Sequence, residues 1–376
     1  MTQLTEKSRI WHANWGLIIL TALLVIFGLV NLYSACATRG EYGVDIEYYY
    51  TRQLGFAGLG LLCMVFAMAF DYRRLERMAV PFFVCSIILL LLVPFFGREV
   101  KGAVRWIPLF GIRFQPSELA KISVMVLAAK LLSTGRGSLG WKDFIKVCAV
   151  GLLPCLIVFI QPDLGTAVII LAILGGMIIF RGLKSSIVKV VLCLLLLSPF
   201  FLWKAVYPNL KPYQQQRIVN FINPSAASQD AMYQRNQALI AIGSGQLWGK
   251  GWMEGPQNNL NYIPERHTDY AIAVLGEEHG FAGIVLLVGL FSLFLLSICA
   301  TAANAKDRFG SYLCAGVFFS FFWQIFINIG MVAGMLPVVG VPLPFFSHGG
   351  TAMVVNFSLL GIVLSVSMRR FVFKAA

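Results

Sequence analysis

Twenty-two consecutive residues, from Trp15 to Cys36, carry no charged side chain. At about 1.5 Å per residue a helix of that length crosses the ~30 Å hydrocarbon core of a bilayer. The pattern recurs along the chain. Ten candidate spans can be placed at 15–36, 53–70, 77–97, 118–134, 143–161, 163–180, 186–203, 270–299, 310–335 and 350–368. The fourth is short and carries Glu118 and Lys121. The eighth is long enough to be tilted, or kinked near Gly280. Composition agrees: 58% of the residues are hydrophobic and 12% charged, where globular domains are nearer about 25% charged. The expected fold is an all-α polytopic membrane protein forming a single domain over 1–376. A cleavable signal peptide is not expected, because the first apolar run is too long and lacks a small-residue cleavage site.

The formal net charge is +13. A soluble chain with that balance would suggest nucleic acid, but no zinc finger or basic recognition helix is present. The cations fall instead in short loops on alternate sides. With the N-terminus inside, the cytoplasmic segments hold Lys7 and Arg9; Arg73, Arg74 and Arg77; Lys130, Arg136, Lys142 and Lys146; Arg181, Lys184 and Lys189; Lys306 and Arg308; and Arg369, Arg370 and Lys374. This is the positive-inside pattern, facing anionic lipid, and it returns both termini to the cytoplasm. The eight cysteines lie in or at the ends of apolar runs without a CxxC pair, so they read as small buried apolar residues.

Two outer segments break the pattern. REVKGAVRWIPLFGIRFQPSELAK, 98–121, places Arg98, Lys101, Arg105 and Arg113 on the wrong side, which points to an anionic ligand at the outer face. The long polar segment 204–268, between spans seven and eight, holds Lys204, Lys211, Arg217, Arg235, Lys250 and Arg266. It also holds GSGQLWGKGW, whose glycines permit tight turns and close backbone approach. A loop of that length in a compact membrane protein suits a functional role.

Ionisable groups at membrane depth are costly and so are functional candidates. Four stretches qualify. PERHTDYAIAVLGEEHG, 264–280, sets Glu265, Arg266, His267, Thr268 and Asp269 at the mouth of a span. Capping by Thr268 of a helix starting at Asp269 would account for one acid, not for its neighbours or for Glu277 and Glu278. In QPSELAK, 115–121, Glu118 and Lys121 share a helix face, either as an ordering ion pair or as the wall of a polar cavity. QPDLGTA, 161–167, has the Pro-Asp pair of a hairpin turn. LPVVGVPLPFFSHGGTAM, 336–353, has three prolines followed by Ser347, His348, Gly349 and Gly350. Its irregular backbone must be covered by protein or line a cavity. No P-loop, HExxH or GxSxG is present, so neither an ATP-driven pump nor a zinc membrane protease is indicated.

Together these stretches, with QALIAIGSGQLWGKGW at 237–252 and NIGMVAGMLPVVGVPLPFFSHGGTAM, resemble the SEDS family (shape, elongation, division, sporulation). They fall in the family's order over about residues 10–370. The short cytoplasmic N-terminus is more similar to the elongation branch than to the division branch. Phe345, Phe346 and His348 depart from the family, where other aliphatic or aromatic residues and Tyr are common. The resemblance implies a ten-span fold and a peptidoglycan glycosyltransferase of the bacterial inner membrane that polymerises lipid II on the extracytoplasmic side. It implies that Asp269 is essential, and that the partners are a class B penicillin-binding protein transpeptidase and other elongation-complex proteins. The family has also been proposed to flip lipid II.

On that reading Asp269 is the general base. Arg105, Arg113, Arg217 and Lys250 are cations placed to grip the pyrophosphate. Glu118 and Lys121 shape the cavity. Gln115, Gln237, Arg266, His267 and Ser347 join them as candidate substrate-binding residues. No organic cofactor is expected; a divalent cation held by Asp269 or Glu118 would neutralise the leaving pyrophosphate. A lipid II flippase would share the polar path, the broken helices and the outer cations, and a scaffold for the transpeptidase would need none of them.

Overall fold

The computed structural model describes residues 13–37, 46–100, 103–109, 112–135, 137–201, 204, 207–209, 215, 219 and 229–370. Arg217, with Lys7, Arg9, Lys101, Arg136, Lys211 and Lys374, lies outside these residues. Ten long helices form the body: α1 (Trp15–Cys36), α2 (Ile46–Ala69), α3 (Tyr72–Phe96), α4 (Pro116–Ser133), α5 (Trp141–Ile160), α6 (Leu164–Arg181) and α7 (Ser185–Phe201). After two shorter helices, α8 (Gln229–Ser244) and α9 (Pro256–Asn259), come α10 (Ala271–Ala303), α11 (Arg308–Val332) and α12 (Gly350–Met368). Among the described residues, eight helices are long and apolar enough to cross a membrane. The remaining two long helices are the charged α4 and the shorter apolar α7. Aliphatic side chains cover the lipid-facing sides, as on α7, where Leu194 to Leu197 are all exposed.

Local chemistry sets the helix starts. The side chains of Asn14, Asp71, Asp163 and Asp307 accept hydrogen bonds from backbone N–H groups of α1, α3, α6 and α11, filling donors that a helix cannot satisfy itself. The Asp71 cap explains why α3 begins before its apolar run and carries Arg73, Arg74 and Arg77 within the helix. Segment 98–114 holds a three-stranded antiparallel meander, which hydropathy did not indicate: β1 (Arg98–Val100), β2 (Ala103–Leu109) and β3 (Ile112–Phe114).

The bundle has two distinct ends. At one, Arg73 and Arg369 pair with Asp307 and Asp71 at 3.5 and 3.8 Å. Arg181 and Arg308 both donate to the Gly135 carbonyl, at 2.6 and 2.7 Å. These cations were grouped on one side by loop charge, and they share one end here. The other end gathers the sheet, α8, α9 and the four polar stretches.

Helix α10 is broken at Gly280 (φ 65°, ψ −162°), as its length suggested. The break frees backbone groups that cannot stay unpaired at a membrane boundary. The glycine-rich loop satisfies them. Lys250 N and Gly251 N donate to the Glu277 and Glu278 carbonyls at 3.0 and 3.1 Å. Phe281 N and Ala282 N donate to the Gln246 and Leu247 carbonyls at 2.8 and 3.0 Å. Only glycine permits this approach. A Cβ on Gly249 (φ +83°) would sit 2.1 Å from the Glu278 carbonyl oxygen. Gly249→Ala is therefore expected to destabilise the purified protein by about 2–4 kcal/mol. By contrast Gly243→Ala, on an open face of α8, raises stability by up to about 1 kcal/mol. Thermal unfolding of the two variants in one detergent checks both.

Candidate active site

Asp269 does not begin a helix. The Thr268 hydroxyl donates to the Glu265 carboxylate at 3.1 Å, and Thr268 N and Tyr270 N both donate to the Glu265 carbonyl at 3.2 Å. A compact turn results, and α10 starts at Ala271 with no side-chain cap. The alternative of a Thr268 cap is therefore excluded: its hydroxyl is spent on Glu265, which leaves Asp269 on a loop just ahead of the helix.

That loop is held in place by its backbone. The Asn328 side-chain amide, 1% exposed on α11, donates to the Asp269 carbonyl at 3.2 Å and to the Val341 carbonyl at 2.7 Å. It ties the turn to the proline-rich loop 333–349. The Asp269 carboxylate lies over Gly340 (φ +73°), where an added Cβ would stand 3.5 Å from Oδ2. His348 N donates to the His267 carbonyl at 2.9 Å. Gln53 of α2 clamps the same loop, donating to the Ser347 carbonyl at 3.2 Å and accepting from Gly349 N at 3.4 Å. Ser347 turns inward, its hydroxyl accepting from Leu343 N at 3.1 Å.

On the other side of this loop lies the start of α6. A Cβ on Gly165 would meet the Val339 carbonyl oxygen at 2.7 Å, so helix and loop touch through glycine. Asp163, 5% exposed, is an acceptor hub. Its carboxylate receives Gln115 Nε2 at 2.8 Å, the Thr166 hydroxyl at 2.9 Å and the Ser117 hydroxyl at 3.4 Å. Arg105 stands 3.7 Å away, and its guanidinium also donates to the Pro162 carbonyl. Sequence reasoning gave Asp163 a turn role only. Its Gln, Ser and Thr partners at 115, 117 and 166 were the available signal.

Glu118 and Lys121 pair at 2.8 Å with side-chain exposures of 8% and 2%. Glu118 Oε2 has no hydrogen-bond partner. Two other expected cations, Lys250 and Arg266, are committed within the protein. Lys250 Nζ meets the buried Glu277 at 3.0 Å, and the same carboxylate accepts from Gln257 N and Asn258 N. Arg266 is 0% exposed; its Nε donates to the Ala35 carbonyl at 2.6 Å and Nη1 to Asn261. Burial pushes the Arg266 guanidinium below its usual range. Arg266 thus staples the turn to the end of α1 rather than facing a ligand. Gln237 lies part-buried on α8. Arg113 remains exposed.

Around His267 the rings cluster: Tyr49 lies 4.4 Å from it and 5.2 Å from His348, centroid to centroid. Burial, then His267 and Arg52, hold the His348 imidazole down at about 4. An unfolded histidine titrates near about 6.5. Above that value the stabilisation from the neutral ring is full, and it is lost as pH falls toward about 4. His348→Tyr is therefore expected to flatten the fall of unfolding temperature between pH 6.5 and 4, measured against the parent protein.

The fold and the site have counterparts among known proteins. The model of the cell cycle protein family FtsW/RodA/SpoVE matches residues 14–371. The chain belongs to this family. Peptidoglycan glycosyltransferase MrdB of Escherichia coli K12 is 39% identical over 351 residues, covering 93% of each chain. A chain from a solved peptidoglycan synthase complex, in which polymerisation and crosslinking are coordinated, superposes with a TM-score of 0.80 at 32% identity, covering 96% of this chain and 98% of that one. The crystal structure of the Thermus thermophilus rod shape determining protein RodA gives 0.71 at 31%, with the same coverage. As a member of this SEDS family the chain is a multi-pass bacterial membrane protein, and its ten long helices are those of the RodA fold.

Proposed function

We propose that this chain is the RodA-type peptidoglycan glycosyltransferase of cell elongation, polymerising lipid II with Asp269 as general base. One observation supports the assignment of the base: the proline-rich loop and Asn328 adjoin the Asp269 turn through Gly340 and His348, and the same loop touches the α6 start, whose Asp163 holds Gln115. The 4-hydroxyl oxygen of the acceptor GlcNAc attacks C1 of the donor MurNAc. Its proton passes to the Asp269 carboxylate, the C1–O bond to phosphate breaks, polyprenyl pyrophosphate leaves, and the anomeric centre inverts. Holding Asp269 through its own backbone carbonyl fixes the position from which the base acts. Among the described residues Arg113 is the exposed cation of the expected set that would meet the pyrophosphate, while Arg105, Gln115, Glu118 and Lys121 build the wall behind.

Among the described residues no group of three or more His, Cys, Asp or Glu is close enough to hold a metal ion. That donor set suits a Mg²⁺ or Mn²⁺ ion carried mainly by pyrophosphate oxygens and water, with Asp269 or Glu118 as its single protein ligand. Bound there, it would neutralise charge on the leaving group. We place the protein in the inner membrane with the Asp269 end facing outward, docked to a class B penicillin-binding protein transpeptidase. Reconstitution with that partner and lipid II tests the reading: glycan strands on a gel support it. Movement of lipid II across vesicles without strands would favour the transporter instead.

A further inference from the structure

Tyr48, Tyr49 and Tyr50 are consecutive in the first turns of α2, so their side chains fan out about 100° apart. Each finds a different ring. Tyr49 reaches His267, two residues before Asp269. Tyr48 meets Tyr49 edge-on at 5.1 Å and carries Arg52 over its face at 4.2 Å. Tyr50 meets Tyr33, at the end of α1, edge-on at 5.7 Å. Tyr33 in turn lies nearly parallel to Trp252 of the glycine-rich loop, at 6.0 Å and 26°. Tyr33, Tyr48 and Trp252 keep 38%, 39% and 50% of their surface exposed. Three separate elements therefore build two groups of rings, Trp252–Tyr33–Tyr50 and Tyr48–Tyr49–His267, set side by side by consecutive positions on α2, and the second reaches the turn bearing Asp269. Aromatic residues of an interfacial belt need only face headgroups one by one; these touch within each group, and the two groups adjoin along α2 beside the Asp269 turn.

We infer that this pair of ring groups is a saccharide platform that holds the pyranose rings of a β-1,4-linked amino-sugar strand beside Asp269. The inference rests on the glycosyltransferase reading for the identity of the strand. A β-linked pyranose presents an apolar face of axial C–H bonds, slightly positive at hydrogen. An aromatic face is negative, so the two stack. The Tyr hydroxyls and the Trp indole N–H supply polar edges for the sugar's hydroxyl and acetamido groups. A polymerising enzyme must keep its strand between additions, and a stacking surface does this without fixing one register.

The test uses the full chain in complex with its transpeptidase and chitotetraose as the soluble probe, read by saturation-transfer NMR and titration. Wild type and Trp248→Ala, an exposed tryptophan outside both groups, are expected to bind equally. Trp252→Ala and Tyr33→Ala should bind at least about fivefold more weakly. Trp252→Phe should recover most of the binding. In lipid II assays Trp252→Ala should yield shorter strands, a readout that a merely structural defect would not give together with rescue by Phe. Binding by a wild type that makes no strands would sink the transferase reading and leave the platform standing. Strands from a wild type that ignores the saccharide, or equal loss in Trp248→Ala and Trp252→Ala, would overturn the platform.

Discussion

Asp269→Asn is expected to lower strand formation from lipid II by about 10²–10⁴-fold, the usual worth of a positioned general base, while the protein still folds and still binds its transpeptidase. The substitution keeps the shape of the side chain and removes only its ability to take a proton. Its backbone is held from outside the side chain: Asn328 grips the Asp269 backbone carbonyl, and Glu265 closes the turn through Thr268 and Tyr270. The variant should therefore match wild type in unfolding temperature. Asn328→Leu is the complementary case. It leaves the carboxylate in place but loosens both the turn and Val341, so activity and stability should fall together. Equal polymerisation by wild type and Asp269→Asn would remove Asp269 from the chemistry.

The second large effect is on stability. Lys121→Met leaves the Glu118 carboxylate buried without its cation, with Oε2 already unpartnered. The expected cost is about 3–5 kcal/mol, the penalty for an uncompensated buried charge. The double substitution Glu118→Leu, Lys121→Met removes both charges and should recover most of that stability. Activity then decides what the pair is for. A stable but inactive double variant means that the two charges line the substrate cavity. A stable and active one means that they only order α4 within the bundle. Thermal unfolding and the strand assay on the same preparations give both readings.

The spans were legible because the bilayer demands them. The predicted 15–36 and 350–368 coincide with α1 and α12, and the kink at Gly280 followed from the length of its helix. Errors arose where polar residues stay helical. Helix α2 starts at Ile46 rather than 53 because hydropathy does not register the half-exposed YYYTRQ turn. The meander at 98–114 and α8 were missed for a related reason: neither is buried in lipid, so neither leaves an apolar run. The motifs that assemble the site were visible as charge in the wrong place. The partners of individual charges were not. Lys250, Arg105 and Arg266 were expected to face a ligand, yet each finds an acceptor from a segment outside its own motif: Glu277, Asp163 and the Ala35 carbonyl. Spacing along a chain cannot report such pairings, since desolvation drives a cation to whichever acceptor the fold brings near.

The ladder between the glycine-rich loop and α10 constrains insertions more than substitutions. Gln246 to Gly251 are matched against Glu277 to Ala282 by backbone groups and by the Lys250–Glu277 pair, so the exposed side chains of Leu247 and Trp248 are free to vary. The residue count is not. One residue added between Gln246 and Lys250 would put every donor out of step with its acceptor, leaving bare carbonyls at the break in α10. Outside Gly249, Gly251 and Lys250 this segment can drift in composition, while its length is held fixed.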